Sequence, residues 1–209
     1  EPKSQGSHIV SYVTKGEQFF LLKTRHIHSP NDEILVLTRF LTPFQTVRTH
    51  DHIVDFNKQH TSIFIAHNKS ISFFKSRKWE ESEDKCVFSQ QLASITIDIN
   101  NLGNFFVATK EGDILSIHIE KSSTNGDGFS CEILGRFRGN ATQIRHLKNY
   151  LVTVQDEQLV FYNTSKLYHL FSEQTQIKMG QKALRFDVFK FPLFELILVQ
   201  TSPTNFTLY

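Results

Sequence analysis

The sequence predicts an all-β fold built from repeated four-stranded antiparallel sheets, and three observations predict it. Apolar residues alternate with polar ones at period two, as in Ile95, Ile97 and Ile99 or Val152 and Val154. That spacing puts one face of a strand on a core and the other toward water or a neighbouring sheet. Composition favours strands too: the chain holds 20 Phe, and its β-branched, aromatic and Leu residues come in short bursts. Turn chemistry separates the bursts, at Lys15-Gly16-Glu17, Ser29-Pro30-Asn31-Asp32, Asn101-Leu102-Gly103-Asn104 and Glu111-Gly112-Asp113.

Taken in order, the strands fall into units. The first holds strands at 8–13, 19–25, 34–40 and 44–48. The second holds 52–57, 62–67, 70–75 and 86–91, with a charged loop at 76–85 before the last. The third holds 94–100, 104–109, 114–120 and 131–137, with a Gly/Ser/Asn loop at 121–130. The fourth holds 143–147, 150–155, 158–163 and 166–171, followed by a connection at 172–182 that has the length for one helical turn. An incomplete fifth holds 183–189, 194–201 and 206–209. First strands therefore begin near 8, 52, 94, 143 and 183, a spacing of 44, 42, 49 and 40 residues.

A repeat of roughly 40–50 residues with four strands each is the rhythm of propeller blades. One twisted four-stranded sheet cannot bury both faces alone, so such units stack. The expected architecture is a β-propeller or partial propeller of about four blades plus part of a fifth, the approximate blades being 8–50, 51–92, 93–142, 143–182 and 183–209. Residues 1–7 read as a polar extension. The first residue is Glu1 and the only Met is Met179, so the chain is expected to be part of a longer protein. The missing strands then lie elsewhere in that protein or come from a partner. Two packed antiparallel sheets are the alternative architecture.

The stretch FFVATKEGDILSIHIE, within 104–120, resembles the second strand, acidic-Gly turn and third strand of a WD40-type blade. The units together resemble degenerate WD40-like repeats. No Trp-Asp dipeptide ends a third strand and no Gly-His pair opens a blade, so the His–Asp network those signatures supply is not assured by motif.

Composition bounds the function. Lys+Arg is 23 and Asp+Glu 21, a formal charge of +2, which removes polybasic and acidic tails as the theme. The apolar run 193–199 is too short to span a bilayer. Two cysteines, Cys86 and Cys131, make neither a disulfide framework nor a zinc site alone. They read as half-buried thiols at the start of outer strands, which leans toward a reducing compartment. Asn-X-Ser/Thr triplets at Asn68, Asn140, Asn163 and Asn205 read as chance.

Candidate chemistry is sparse. His26-Ile27-His28 and His50-Asp51-His52 place pairs of imidazoles on one strand face, but no further ligands lie near in sequence. His50–His52 falls at a junction between blades, a place for a satisfied polar network. The acidic run 80–84 is a solvated loop, and no phosphate loop, dinucleotide fingerprint or nucleophile elbow occurs. No catalytic, cofactor-binding or metal-binding residue is expected.

The function this implies is a non-catalytic protein–protein interaction scaffold, a propeller subunit of a multiprotein complex in the nucleus or cytoplasm. Its partners are other protein subunits, and its candidate anchors are Arg77, Trp79, Arg136, Arg138, Phe189, Phe191 and Phe194. The alternative is an RNA-binding accessory subunit of an RNA-modifying or ribosome-assembly complex. That reading needs Lys75, Arg77, Lys78, Arg136, Arg138 and Arg145 on one face.

Overall fold

The structure, a computed structural model, describes residues 9–14, 17–25, 31–59, 62–75, 79–101, 103–121, 129–164, 173–191 and 193–209. They form five small antiparallel sheets, the blade repeat of a β-propeller. Each sheet is a meander whose strands pair in chain order, apart from one short outer strand of the second sheet. The chain divides into two compact units, 1–92 with 121–130, and 93–120 with 131–209.

The first unit carries two sheets. Sheet 1 is β1 (Ile9–Thr14), β2 (Glu17–Arg25), β3 (Asp32–Thr38) and β4 (Pro43–Arg48). Sheet 2 is β5 (Ile53–Gln59), β6 (Ser62–His67) and β7 (Ser70–Lys75), with two short outer strands, β8 (Glu80–Glu81) and β9 (Cys86–Val87). Both pair with β7. The expected single outer strand at 86–91 is thus split, because Glu81 is drawn inward by a polar network described below.

The core of this unit takes alternate residues of the apolar bursts in sheet 1. Leu21, Ile34 and Val36 of sheet 1 pack with Ile53, Phe56, Ile63, Ile65 and Phe74 of sheet 2. Residues between them, such as Glu33 and Leu35, are only partly covered. Each large side chain fully removed from water stabilises the fold by about 1.5–3 kcal/mol.

The second unit carries three sheets. Sheet 3 is β10 (Leu92–Ile97), β11 (Asn104–Thr109), β12 (Asp113–Lys121) and β13 (Phe129–Arg138). Sheet 4 is β14 (Ile144–Leu147), β15 (Tyr150–Gln155), β16 (Gln158–Asn163) and β17 (Glu173–Lys178). Sheet 5 is β18 (Arg185–Lys190), β19 (Glu195–Gln200) and β20 (Phe206–Leu208). The outer strand expected at 166–171 lies outside the described residues. The segment 172–182, read as a connection, holds β17 instead. From Thr175 to Lys178 the side chains are exposed, which an outer edge strand tolerates because one side meets water.

Sheet 4 is a shared wall. Leu151, Val160 and Tyr162 enter a core with Phe106, Ala108 and Ile114 of sheet 3. Val152 and Leu159 enter a different core with Phe186, Ile197 and Val199 of sheet 5. Neighbours in sequence therefore serve opposite cores, as the pleat requires.

Cys86 and Cys131 are not thiols: both are disulfide-bonded. This corrects the reading of two half-buried thiols and removes its argument for a reducing compartment. No helix among the described residues is long and apolar enough to cross a membrane.

Candidate protein-interaction surface

The junction at 49–53 is a polar network in the first unit. His52 Nδ1 lies 2.7 Å from Asp32 Oδ2, which also accepts the Ile53 N–H at 2.8 Å. Lys23 Nζ is 3.4 Å from the same oxygen. Beside this, Glu81 Oε1 meets His67 Nε2 and the Ser72 hydroxyl, while Oε2 accepts the His50 N–H at 2.7 Å. His67 Nδ1 faces the His52 carbonyl at 3.2 Å. With a carbonyl on one nitrogen and a carboxylate on the other, both ring nitrogens donate and the ring is cationic. Burial pushes the Glu81 carboxyl up, but hydrogen bonds from His67, Ser72 and His50 and the charge on His67 bring it below its ordinary range. These groups answer one another inside the fold, so the network is architectural. It supplies by other residues what the absent Gly-His and Trp-Asp signatures left open.

Trp79 belongs to the same unit's architecture. Its ring centroid is 4.9 Å from Phe19, 5.5 Å from Phe44 and 5.7 Å from Phe74. Its φ is 53°, a left-handed conformation in which the neighbouring Glu80–Glu81 strand begins. The ring is half-buried among aromatics, not a free anchor. Arg77 and Lys78 lie outside the described residues, as does the side chain of Lys75.

In the second unit, Arg136 and Arg138 of β13 are largely exposed but both turn to the buried Asp113, Arg138 at 3.5 Å. Arg145 is buried. Its Nε donates to Asp187 at 3.1 Å, and one terminal nitrogen donates to the Ile144 carbonyl at 2.8 Å and the Ser94 hydroxyl at 3.1 Å. That placement corrects its reading as a nucleic-acid contact, because a guanidinium held this way offers nothing to a phosphate. Of the six residues expected on a basic face, Arg136, Arg138 and Arg145 are thus the ones whose side chains are described. The described residues hold no group of three or more His, Cys, Asp or Glu arranged for a metal ion.

The third set of candidates is brought together. Sheet 5 buries Phe186, Ile197 and Val199 on one face. Its register pairs Phe189 with Leu196, Asp187 with Leu198, Leu198 with Leu208 and Gln200 with Phe206. Period-two alternation thus places Phe189, Leu196, Leu198, Phe206 and Leu208 on the other face. Phe189, Phe206 and Leu208 are exposed there, at 43%, 56% and 61%. The tip between β18 and β19 continues the apolar surface. Phe191 N–H donates to the Phe194 carbonyl at 2.9 Å, and their rings stack at 4.8 Å. Leu193 at that tip is 95% exposed. Sequence reading names Phe189, Phe191 and Phe194, and it leaves out Phe206 and Leu208, whose exposure depends on register. A patch of this kind is a marker of an interaction surface.

No family model matches the chain, and no curated protein matches it. Solved structures do. A chain of a humanised mutant of the Chaetomium thermophilum Polycomb Repressive Complex 2 superposes with a TM-score of 0.68 at 9% identity, over 97% of this chain and 54% of that one. BamB from Moraxella catarrhalis superposes with a TM-score of 0.55 at 10% identity, over 91% of this chain and 55% of that one. The chain spans about half the length of these structures. At such identities the likeness establishes fold alone, and that fold is a WD40-like β-propeller arrangement.

Proposed function

We propose that the chain is a non-catalytic protein-interaction scaffold, a propeller subunit of a multiprotein complex. The observation that carries this reading is the apolar surface of sheet 5, with Phe189, Phe206 and Leu208 on its open face and Phe191, Leu193 and Phe194 at its tip. Aromatic and aliphatic side chains held on a rigid sheet lose little freedom on binding and suit the role of anchors. The likeness to a chain of a multi-subunit assembly agrees with this role.

The test is affinity purification of the tagged protein from cells, with and without nuclease, in native form and with the double substitution Leu193→Asp and Phe194→Asp. A fixed set of proteins that survives nuclease and is lost with the double substitution supports the scaffold. Retention of the whole set by the substituted protein removes this surface from the reading. Loss of the set on nuclease alone turns the reading to RNA binding.

A further inference from the structure

A second polar cluster, in the second unit, has a different character from the Glu81 network. The His146 side chain is fully buried, with its ring against Phe106. Its backbone N–H donates to the Thr96 hydroxyl at 3.1 Å. Its Nδ1 accepts the Ile99 N–H at 2.9 Å, and its Nε2 faces the Thr164 hydroxyl at 3.1 Å. An Nδ1 that accepts carries no proton, so Nε2 carries it and the ring is neutral.

Asp98 stands next to this nitrogen, with Oδ1 at 3.6 Å from Nδ1. That oxygen accepts the Asn100 N–H at 2.9 Å and the Asn101 N–H at 3.3 Å, and Oδ2 accepts Asn101 Nδ2 at 2.8 Å. The carboxylate thereby holds the turn between β10 and β11 closed. The turn is tied in its own right to the β14–β15 turn, since Asn100 Nδ2 donates to the Lys148 carbonyl at 2.9 Å.

We infer that His146 is an acid-sensitive latch for residues 98–101. A proton taken from solvent onto Nδ1 turns that atom from acceptor to donor. The Ile99 N–H then faces another N–H and loses its partner. The new imidazolium N–H draws the Asp98 carboxylate, which leaves the Asn100 and Asn101 amides. Both steps loosen the same turn, and the surface formed by Ile99, Asn100 and Asn101 changes with pH.

Few charged groups surround the ring among the described residues. Asp98 follows β10. Just past β14, Lys148 lies 3.5 Å from Glu195 of β19, and within β14 Arg145 pairs with Asp187 of β18. These two pairs are internally neutralised, so Asp98 is the carboxylate free to respond. Strands β11 and β16 offer Phe106 and Thr164, the latter just past the strand end. Burial pushes the His146 imidazole below its ordinary value, while the Asp98 charge and the Ile97 carbonyl pull it partly back. The latch therefore opens on the acid side of an ordinary histidine's titration.

The test is an NMR titration of the isotopically labelled chain from pH 7.5 to pH 5. It follows the His146 imidazole shifts and the exchange protection of the Ile99 and Val152 amides, corrected for intrinsic rates. The expected result is a roughly tenfold or greater loss of protection at Ile99 as His146 protonates, with Val152 unchanged. His146→Gln, whose amide donates and accepts without titrating, should abolish the change. Unaltered protection at Ile99 through His146 protonation overturns the latch. So does equal loss at Ile99 and Val152, which marks global unfolding, or an equal pH response in His146→Gln. The Ile99–Val152 comparison stands within the native chain even where the variant does not fold.

Discussion

Glu81 Oε2 accepts the backbone N–H of His50 at 2.7 Å, across 31 residues of chain. The same carboxylate holds His67 and Ser72 through its other oxygen. One side chain on a two-residue strand thus ties the linker between sheets 1 and 2 to the middle of sheet 2.

Glu81→Gln should be strongly destabilising. It removes the anion and leaves the His67 cation buried, an arrangement that costs about 3–5 kcal/mol in comparable sites. Urea unfolding monitored by Trp79 fluorescence measures it. A loss below about 1 kcal/mol would show that the carboxylate charge is not what holds the junction.

Acid should weaken the same junction. The folded pKa of Glu81 lies below the unfolded value of 4.5, so the unfolded chain takes up protons first as pH falls. The stabilisation is complete above pH 4.5 and is lost as pH falls from there through the folded pKa. Melting curves from pH 6 to pH 3 should fall in that window, and more shallowly for Glu81→Gln.

Gly112→Ala should cost about 1–2 kcal/mol. Gly112 has φ +88°, and a Cβ there would sit 3.1 Å from Asn140 Cα. Left-handed backbone and a backbone neighbour that cannot swing aside both oppose a side chain. Gly135→Ala, with nothing within 4 Å of a Cβ, is the control and should be far milder in thermal denaturation.

Leu193→Ser should leave stability within about 0.5 kcal/mol, since the side chain is almost wholly in water. Phe186→Ala, in the core of the same sheet, should cost about 3–5 kcal/mol. Similar losses for the two would mean that the tip packs in solution and is no docking element.

The blade rhythm was legible because buried strands alternate and turns punctuate them. Ile95 and Val152 are buried as their spacing implies, but so are the polar Thr96, Asp98 and Thr153 beside them, while Ile97 is half-buried and Ile99 exposed. The outer strands were less legible. Glu173–Lys178 carries one large apolar residue, Ile177, so nothing in its pattern separates an edge strand from a loop. Glu80–Glu81 reads as solvated charge and becomes a strand only because His50, His67 and Ser72 converge on it. Trp79 and Arg145 show the limit for site residues. An aromatic or a guanidinium has the same letter whether it meets a partner or packs within the fold, and only the register tells which.

The double duty of sheet 4 sets how substitutions combine. Leu151 and Val152 are adjacent in the chain yet belong to separate cores, so their losses should add. Val152 and Phe186 are remote in sequence but share a core, and their double substitution should show a coupling energy of about 0.5 kcal/mol or more. Epistasis in this protein is therefore organised by parity along β15 and β16: odd and even positions report to different neighbours. A single-residue insertion in either strand would exchange the allegiances of that strand's residues on one side of it.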